Sequence, residues 1–90
     1  MDGNENRQEP RSSLIIPADL RVDGLPFEHR IKVRNLSDGG MMGEGQVGVH
    51  RGSKVEVNIR NSGWVTGTVA WIQGTRFGVA FHEPVEVPAN

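Results

Sequence analysis

Arg7 and Arg11 stand four residues apart near the start of the chain, in RQEPR. Asn35, Ser37 and Gly40 share the stretch RNLSDGGMM, residues 34–42, in which Gly39 and Gly40 are adjacent. An arginine guanidinium is a planar fork that clamps a phosphate, takes a base edge through two hydrogen bonds or stacks on a ring face. Asparagine and serine side chains each donate and accept. Glycine reaches backbone conformations closed to other residues and lets a ligand approach the main chain. Together these residue types fit an anion that carries hydrogen-bonding edges. The plainer reading is that the stretch only reverses the chain, because Asn and Ser often bond their own turn backbone. Arg30 and Arg34 form a second R-x-x-x-R. Their even spacing on one strand projects them, with Lys32, onto a single outward face, as a solvated sheet surface would.

Composition excludes several other chemistries. A chain of 90 residues buries only roughly 60–65 % of its unfolded surface, so a ligand is expected at the surface or an edge, not in an enclosed cavity. Cysteine is absent, which removes disulfides and thiolate metal sites. His29, His50 and His82 match no metal-ligand spacing. The scattered carboxylates show no pairing for hydrolysis, and there is no nucleophile–base set or phosphate-loop signature, so an enzyme is not expected. Net charge is −1, from ten basic and eleven acidic residues, which argues against a general nucleic-acid binder. Eight of the ten basic residues are arginines, a bias toward forked, stacking cations. Apolar runs such as Leu14-Ile15-Ile16 are far too short for a membrane span or signal-peptide core. A cytoplasmic protein without membrane insertion is therefore expected.

The elements that must position these residues are legible as alternation. Residues 1–11, MDGNENRQEPR, carry no aliphatic or aromatic side chain after Met1. A flexible arm is expected there, because such a segment cannot bury enough surface to offset its ordering entropy. From residue 13 onward the period is two. Leu14, Ile16, Ala18, Leu20 and Val22 alternate with polar or proline positions, and Asp23-Gly24 marks a turn. Phe27, His29, Ile31 and Val33 form a second row, and Val55, Val57 and Ile59 a third. One buried and one wet face per strand is the mark of antiparallel sheet. Asn61-Ser62-Gly63 and Gln73-Gly74-Thr75 read as hairpin loops around WVTGTVAWI, residues 64–72, which is apolar on both faces. Pro17 fits an edge or bulge of the first strand, and Gly67 and Gly78 fit bulges or close backbone contacts.

Phe27, Phe77 and Phe81 are assigned to the core. Trp64 and Trp71 lie seven apart, so an unbroken strand sends them to opposite faces and at most one lies fully inside. An outward tryptophan beside the site could stack on a base. His29 falls on the apolar side as a satisfied core or rim histidine, His82 reads as a surface residue, and Asp38 as a turn cap. No segment carries a helical stripe, and twelve glycines and five prolines point the same way. Five or six short strands with tight turns read as a small closed barrel, which removes exposed sheet edges.

R-x-x-x-R at 7–11 followed by [D/N]-x-S-x-x-G at 35–40, one strand pair apart, resembles the PilZ domain, a bacterial receptor family for cyclic di-GMP. WVTGTVAWIQGTRFGVAFHEPVEV, residues 64–87, is similar to the family's closing strands, so the resemblance runs from residue 7 to about 87. It implies an all-β fold: a stand-alone six-stranded antiparallel PilZ-type barrel over residues 12–87, with the arm 1–11 in front and a tail, 88–90, behind. The family often adds a C-terminal helix, but Pro84 and Pro88 near VEVPAN favour little or no helix here. The implied ligand is cyclic di-GMP, with no further cofactor. Arg7 and Arg11 would hold guanine and phosphate, and Asn35, Ser37 and Gly40 would form the floor. Gly39, Arg34 and Trp71 are secondary candidates. A protein effector, not nucleic acid, is the implied partner, and ordering of the arm on binding is the implied output. Two rivals follow from the same residues: a PilZ-like adaptor that binds only proteins, and a small barrel that binds single-stranded nucleic acid.

Overall fold

The computed structural model describes residues 15–59 and 62–85. Arg7, Arg11, the arm 1–11 and the tail 88–90 lie outside these residues. Six strands follow in chain order: β1 Ile16–Val22, β2 Glu28–Leu36, β3 Gly40–Glu44, β4 Lys54–Ile59, β5 Gly63–Gln73 and β6 Arg76–Phe81. They close into a barrel in the order β1-β2-β3-β6-β5-β4, with β4 returning to β1. All six pairings are antiparallel. Helix is absent among the described residues. The all-β, six-stranded expectation therefore holds.

Inward side chains come from the alternating rows. Ala18, Leu20 and Val22 of β1, Ile31 and Val33 of β2, and Val55, Val57 and Ile59 of β4 are all buried. Met41, Val69, Phe77 and Val79 complete the core from β3, β5 and β6. β3 is the strand that alternation does not announce, because GMMGE offers two glycines in five residues. Its identity is tertiary: Met41 pairs with Leu36 on one side and Val79 on the other. The connection from β3 to β4 crosses one end of the barrel, where Val47 and Val49 pack against the core. Pro17 pairs with Lys32 of β2, whereas the β1–β4 register begins only at Leu20. The prolyl nitrogen thus lies where β1 has a partner on one side alone, the position a donor-less residue tolerates.

Two one-residue bulges shape the outer surface. In the β2–β3 ladder Val33 pairs with Gly43 and Asn35 with Met42, so Arg34 is the extra residue. In the β5–β6 ladder Val69 pairs with Val79 and Trp71 with Gly78, so Ala70 is the extra residue. Each bulge shifts the inside–outside alternation by one position. The assignment of Trp64 and Trp71 to opposite faces is therefore wrong. Trp64 sits outside under the Arg21 guanidinium, 3.7 Å from its ring centroid, and Trp71, paired with Gly78, also faces outward and is 40 % exposed.

The phenylalanine assignment needs one correction as well. Phe77 is core and Phe81 packs against it, but Phe27 is 55 % exposed. It has inward parity, yet it precedes the first residue of β2 and overhangs the barrel rim, stacking edge-on against His29 with centroids 5.2 Å apart. His29 is a rim residue whose buried Nε2 has no hydrogen-bond partner, so the expectation of a satisfied histidine fails at that atom.

Candidate functional site

The turn after β2 is built by its own polar groups. The Ser37 amide donates to the Gly40 carbonyl at 2.8 Å, and the Ser37 hydroxyl donates to the same oxygen at 3.2 Å. The bland role of the serine, bonding its own turn, is thus observed; the hydroxyl oxygen remains exposed and can still accept. Further along, the Gly39 carbonyl accepts from the Phe81 amide and the Asp38 carbonyl from the Val85 amide, both at 2.9 Å. The turn is therefore tied to the end of β6 and to the segment after it.

The reason for glycine at position 40 differs from the expected one. Left-handed backbone is found at Gly24, Gly52, Gly63 and Gly74, not at Gly39 or Gly40. A Cβ on Gly40 would lie 2.5 Å from the Val79 carbonyl oxygen, so the residue is small because β6 crosses close beneath it. Gly39 meets nothing within 4 Å and is spared that constraint.

Beside the turn lies a shallow depression of about 320 Å³ lined by Ser37, Gly39, Gly40, Met41, Ala70, Trp71 and the β6 residues Gly78, Val79 and Ala80. Its floor is nearly free of side chains. The register explains why. Asn35, Met42, Gly78 and Trp71 form one outward row across β2, β3, β6 and β5, about 14 Å long at three strand spacings. Gly40, Ala80 and Thr68 form the next outward row. The Trp71 indole lies across Gly78: a Cβ there would sit 2.5 Å from Cε2 and 2.6 Å from Cδ1 of that ring. A half-exposed indole beside a glycine and alanine floor is a platform on which a planar ring can lie.

The bulges are what bring the row together. Were Arg34 and Ala70 paired in regular ladders and not bulged, Asn35 would share the inward parity of Val33 and Trp71 that of Val69. The structure therefore brings Asn35, Ser37, Gly39, Gly40 and Trp71 onto one outer surface. Arg34 borders it, but its Nη1 is held 3.0 Å from Glu44 Oε1, with both side chains about one-third exposed. Arg30 is likewise paired, its Nε 3.0 Å from Asp19 Oδ1. Met42, Ala70 and Ala80 belong to the same surface without having been expected there, and Gly78 was expected only as a bulge or close backbone contact. For Ala70, Gly78 and Ala80 the signal available was the excess of small residues within strand-like runs, a signal that Met42 lacks.

A larger groove, about 400 Å³, lies across β1, β4 and β5 and is lined by residues that include Arg21, Lys54, Glu56, Thr66 and His82. Its arginine is already engaged by Glu28 at 3.1 Å, Glu56 at 3.7 Å and the Trp64 ring. His82 Nε2 and Thr68 Oγ1 bond each other at 2.7 Å. Volume alone favours this groove; free polar groups and an open aromatic face favour the depression beside the turn. Among the described residues no group of His, Asp and Glu could hold a metal ion, and no helix is long and apolar enough to cross a membrane.

A profile of the PilZ domain family covers residues 5–89. No curated protein and no solved structure matches the chain. The match spans nearly the whole sequence, includes both the arginine pair and the NLSDGG turn, and falls on a closed six-stranded barrel. This chain belongs to the PilZ domain family, a family of cyclic di-GMP-binding and adaptor domains.

Proposed function

We propose that this domain is a cytoplasmic receptor for cyclic di-GMP that passes the signal to a protein effector. The observation that carries this reading is the outward row Asn35–Met42–Gly78–Trp71 beside the Ser37–Gly40 turn, in a chain that matches the PilZ family. Cyclic di-GMP is a dianion with two guanines, so its receptor needs cations, base-edge partners and flat surfaces. Trp71 supplies a flat surface, worth roughly 1–3 kcal/mol per stacked base on other platforms. Asn35 is exposed and its amide can pair with a base edge. Gly40 lets the ligand come near the main chain, and Gly78 lets the Trp71 indole lie flat on β6. Arg7 and Arg11 supply charge and a fork for guanine O6 and N7 from the other side. On binding, residues 1–11 settle over the ligand and create a new surface, which is the output read by the effector.

The test is a titration of the full chain with cyclic di-GMP followed by NMR. Saturation is expected to shift the amides of residues 7–11 and 35–40 together with the Trp71 indole resonance. Spectra of residues 1–11 that stay unaltered at saturating ligand reject the arm's role. Absence of any shift rejects the receptor reading and leaves the adaptor alternative.

A further inference from the structure

The outer face next to the Asn35–Trp71 row carries charge that neither family motif accounts for. Two residues toward the 73–75 hairpin, the register aligns Lys32 of β2 with Glu44 of β3, Glu44 with Arg76 of β6, and Arg76 with Gln73 of β5. All four share outward parity. Glu44 stands between the two cations but does not serve them, because its carboxylate is taken by Arg34 at 3.0 Å. Among the described residues, Lys32 and Arg76 have no ion-pair partner. The row and the adjoining Arg34 therefore set three cations against one carboxylate, and two of those cations, Lys32 and Arg76, are free of ion pairs among the described residues.

Geometry relates this row to the aromatic platform. Lys32 and Arg76 are two strand spacings apart, about 10 Å. Arg76 is the diagonal neighbour of Trp71 across the β5–β6 ladder, about 7–8 Å between backbones. Both distances lie within reach of long, exposed side chains converging on one ligand. A ring seated on Trp71 would thus present its sugar-phosphate side to Arg76. A second phosphate, displaced toward β2, would face Lys32.

We infer that Lys32 and Arg76 form a phosphate-facing edge of the ligand site, so that the dinucleotide lies across β2, β3, β6 and β5 at right angles to the strands. The inference rests on the cyclic di-GMP reading above and adds two ligand-contacting residues to it. In this arrangement the barrel itself neutralises charge along one edge of the nucleotide. Electrostatic attraction from these two cations then speeds capture of the dianion.

The test compares three full-length proteins by calorimetric titration with cyclic di-GMP at low and at moderate salt. They are wild type, Lys32→Gln/Arg76→Gln, and the charge-matched control Arg51→Gln/Lys54→Gln on the β4 side. Both pairs are exposed, so melting curves should coincide. Exposed charge contacts predict roughly a tenfold loss of affinity in the first variant at low salt, shrinking as salt rises, and little change in the control. Wild-type binding with equal affinity in the first variant overturns this inference and leaves the receptor reading standing. Equal losses in both variants overturn it too, since net charge alone would then explain the effect. Failure of wild type to bind overturns both readings.

Discussion

Gly78→Ala is the perturbation whose outcome the structure fixes most tightly. Gly78 lies outside the left-handed region, so alanine suits its backbone. In isolation the change should stabilise by about 0.4–1 kcal/mol, through the stiffer unfolded chain. The folded state opposes it. The new Cβ would lie within the Trp71 indole, 2.5 Å from Cε2, and the ring must lift off β6. A tryptophan buries up to about 250 Å². Returning roughly 100 Å² of it to water costs about 2.5 kcal/mol at ~25 cal/mol/Å². The net loss is then about 1.5–2 kcal/mol, or about 6–16 °C in Tm for a domain of this size. The assay is a double-mutant cycle of urea denaturation curves with Trp71→Ala. Once the indole is gone the obstruction is gone, and Gly78→Ala should become neutral or stabilising by up to about 1 kcal/mol. The sign reverses between backgrounds. Equal destabilisation with and without Trp71 would refute the claim that the indole is what forbids a side chain at position 78.

Three further outcomes follow from positions described above. Gly40→Ala should destabilise by about 1–3 kcal/mol, because a Cβ would press on the Val79 carbonyl and backbone cannot swing aside. Gly39→Ala, with open space around it, should stay within about 0.5 kcal/mol of wild type in the same denaturation assay. Phe27→Ser should cost under about 1 kcal/mol because its ring overhangs the rim, whereas Phe77→Ala should cost about 3–5 kcal/mol; a thermal melt of each separates rim from core. Arg11→Ala should weaken cyclic di-GMP binding by about 1.5–3 kcal/mol, the worth of a hydrogen bond to a charged group. Calorimetry finding unchanged affinity would remove Arg11 from the site.

Much of the barrel is written in the sequence as alternation, and the exceptions have physical causes. β1, β2, β4 and β6 each carry an apolar row at one parity, so their inward faces can be read directly. β3 cannot, because its inward Gly43 is small only to make room for Phe77 and Ile31, residues far away in the chain. Phe27 misleads because parity states which way a side chain points, not whether the barrel extends far enough to cover it. The site was half legible. Asn35, Ser37 and Gly40 were found through their motif, and Trp71 through its place beside a hairpin. Met42, Gly78, Lys32 and Arg76 depend on register across four strands, which no local stretch encodes. The reason for Gly40 was likewise invisible, since it lies in the approach of β6 and not in the turn.

The extra residue at Ala70 has a consequence for how such a surface can change over generations. If Ala70 gained a partner on β6, two regular steps would separate Val69 from Trp71 and the indole would rotate from the outer wall into the interior, whereas loss of Ala70 would leave one step and keep the tryptophan outside. A single in-frame codon insertion between Gly78 and Val79 could thus abolish the stacking platform while leaving every existing amino acid the same. Chains that differ little by identity would then differ in what they can hold, and counting substitutions between them would miss the event.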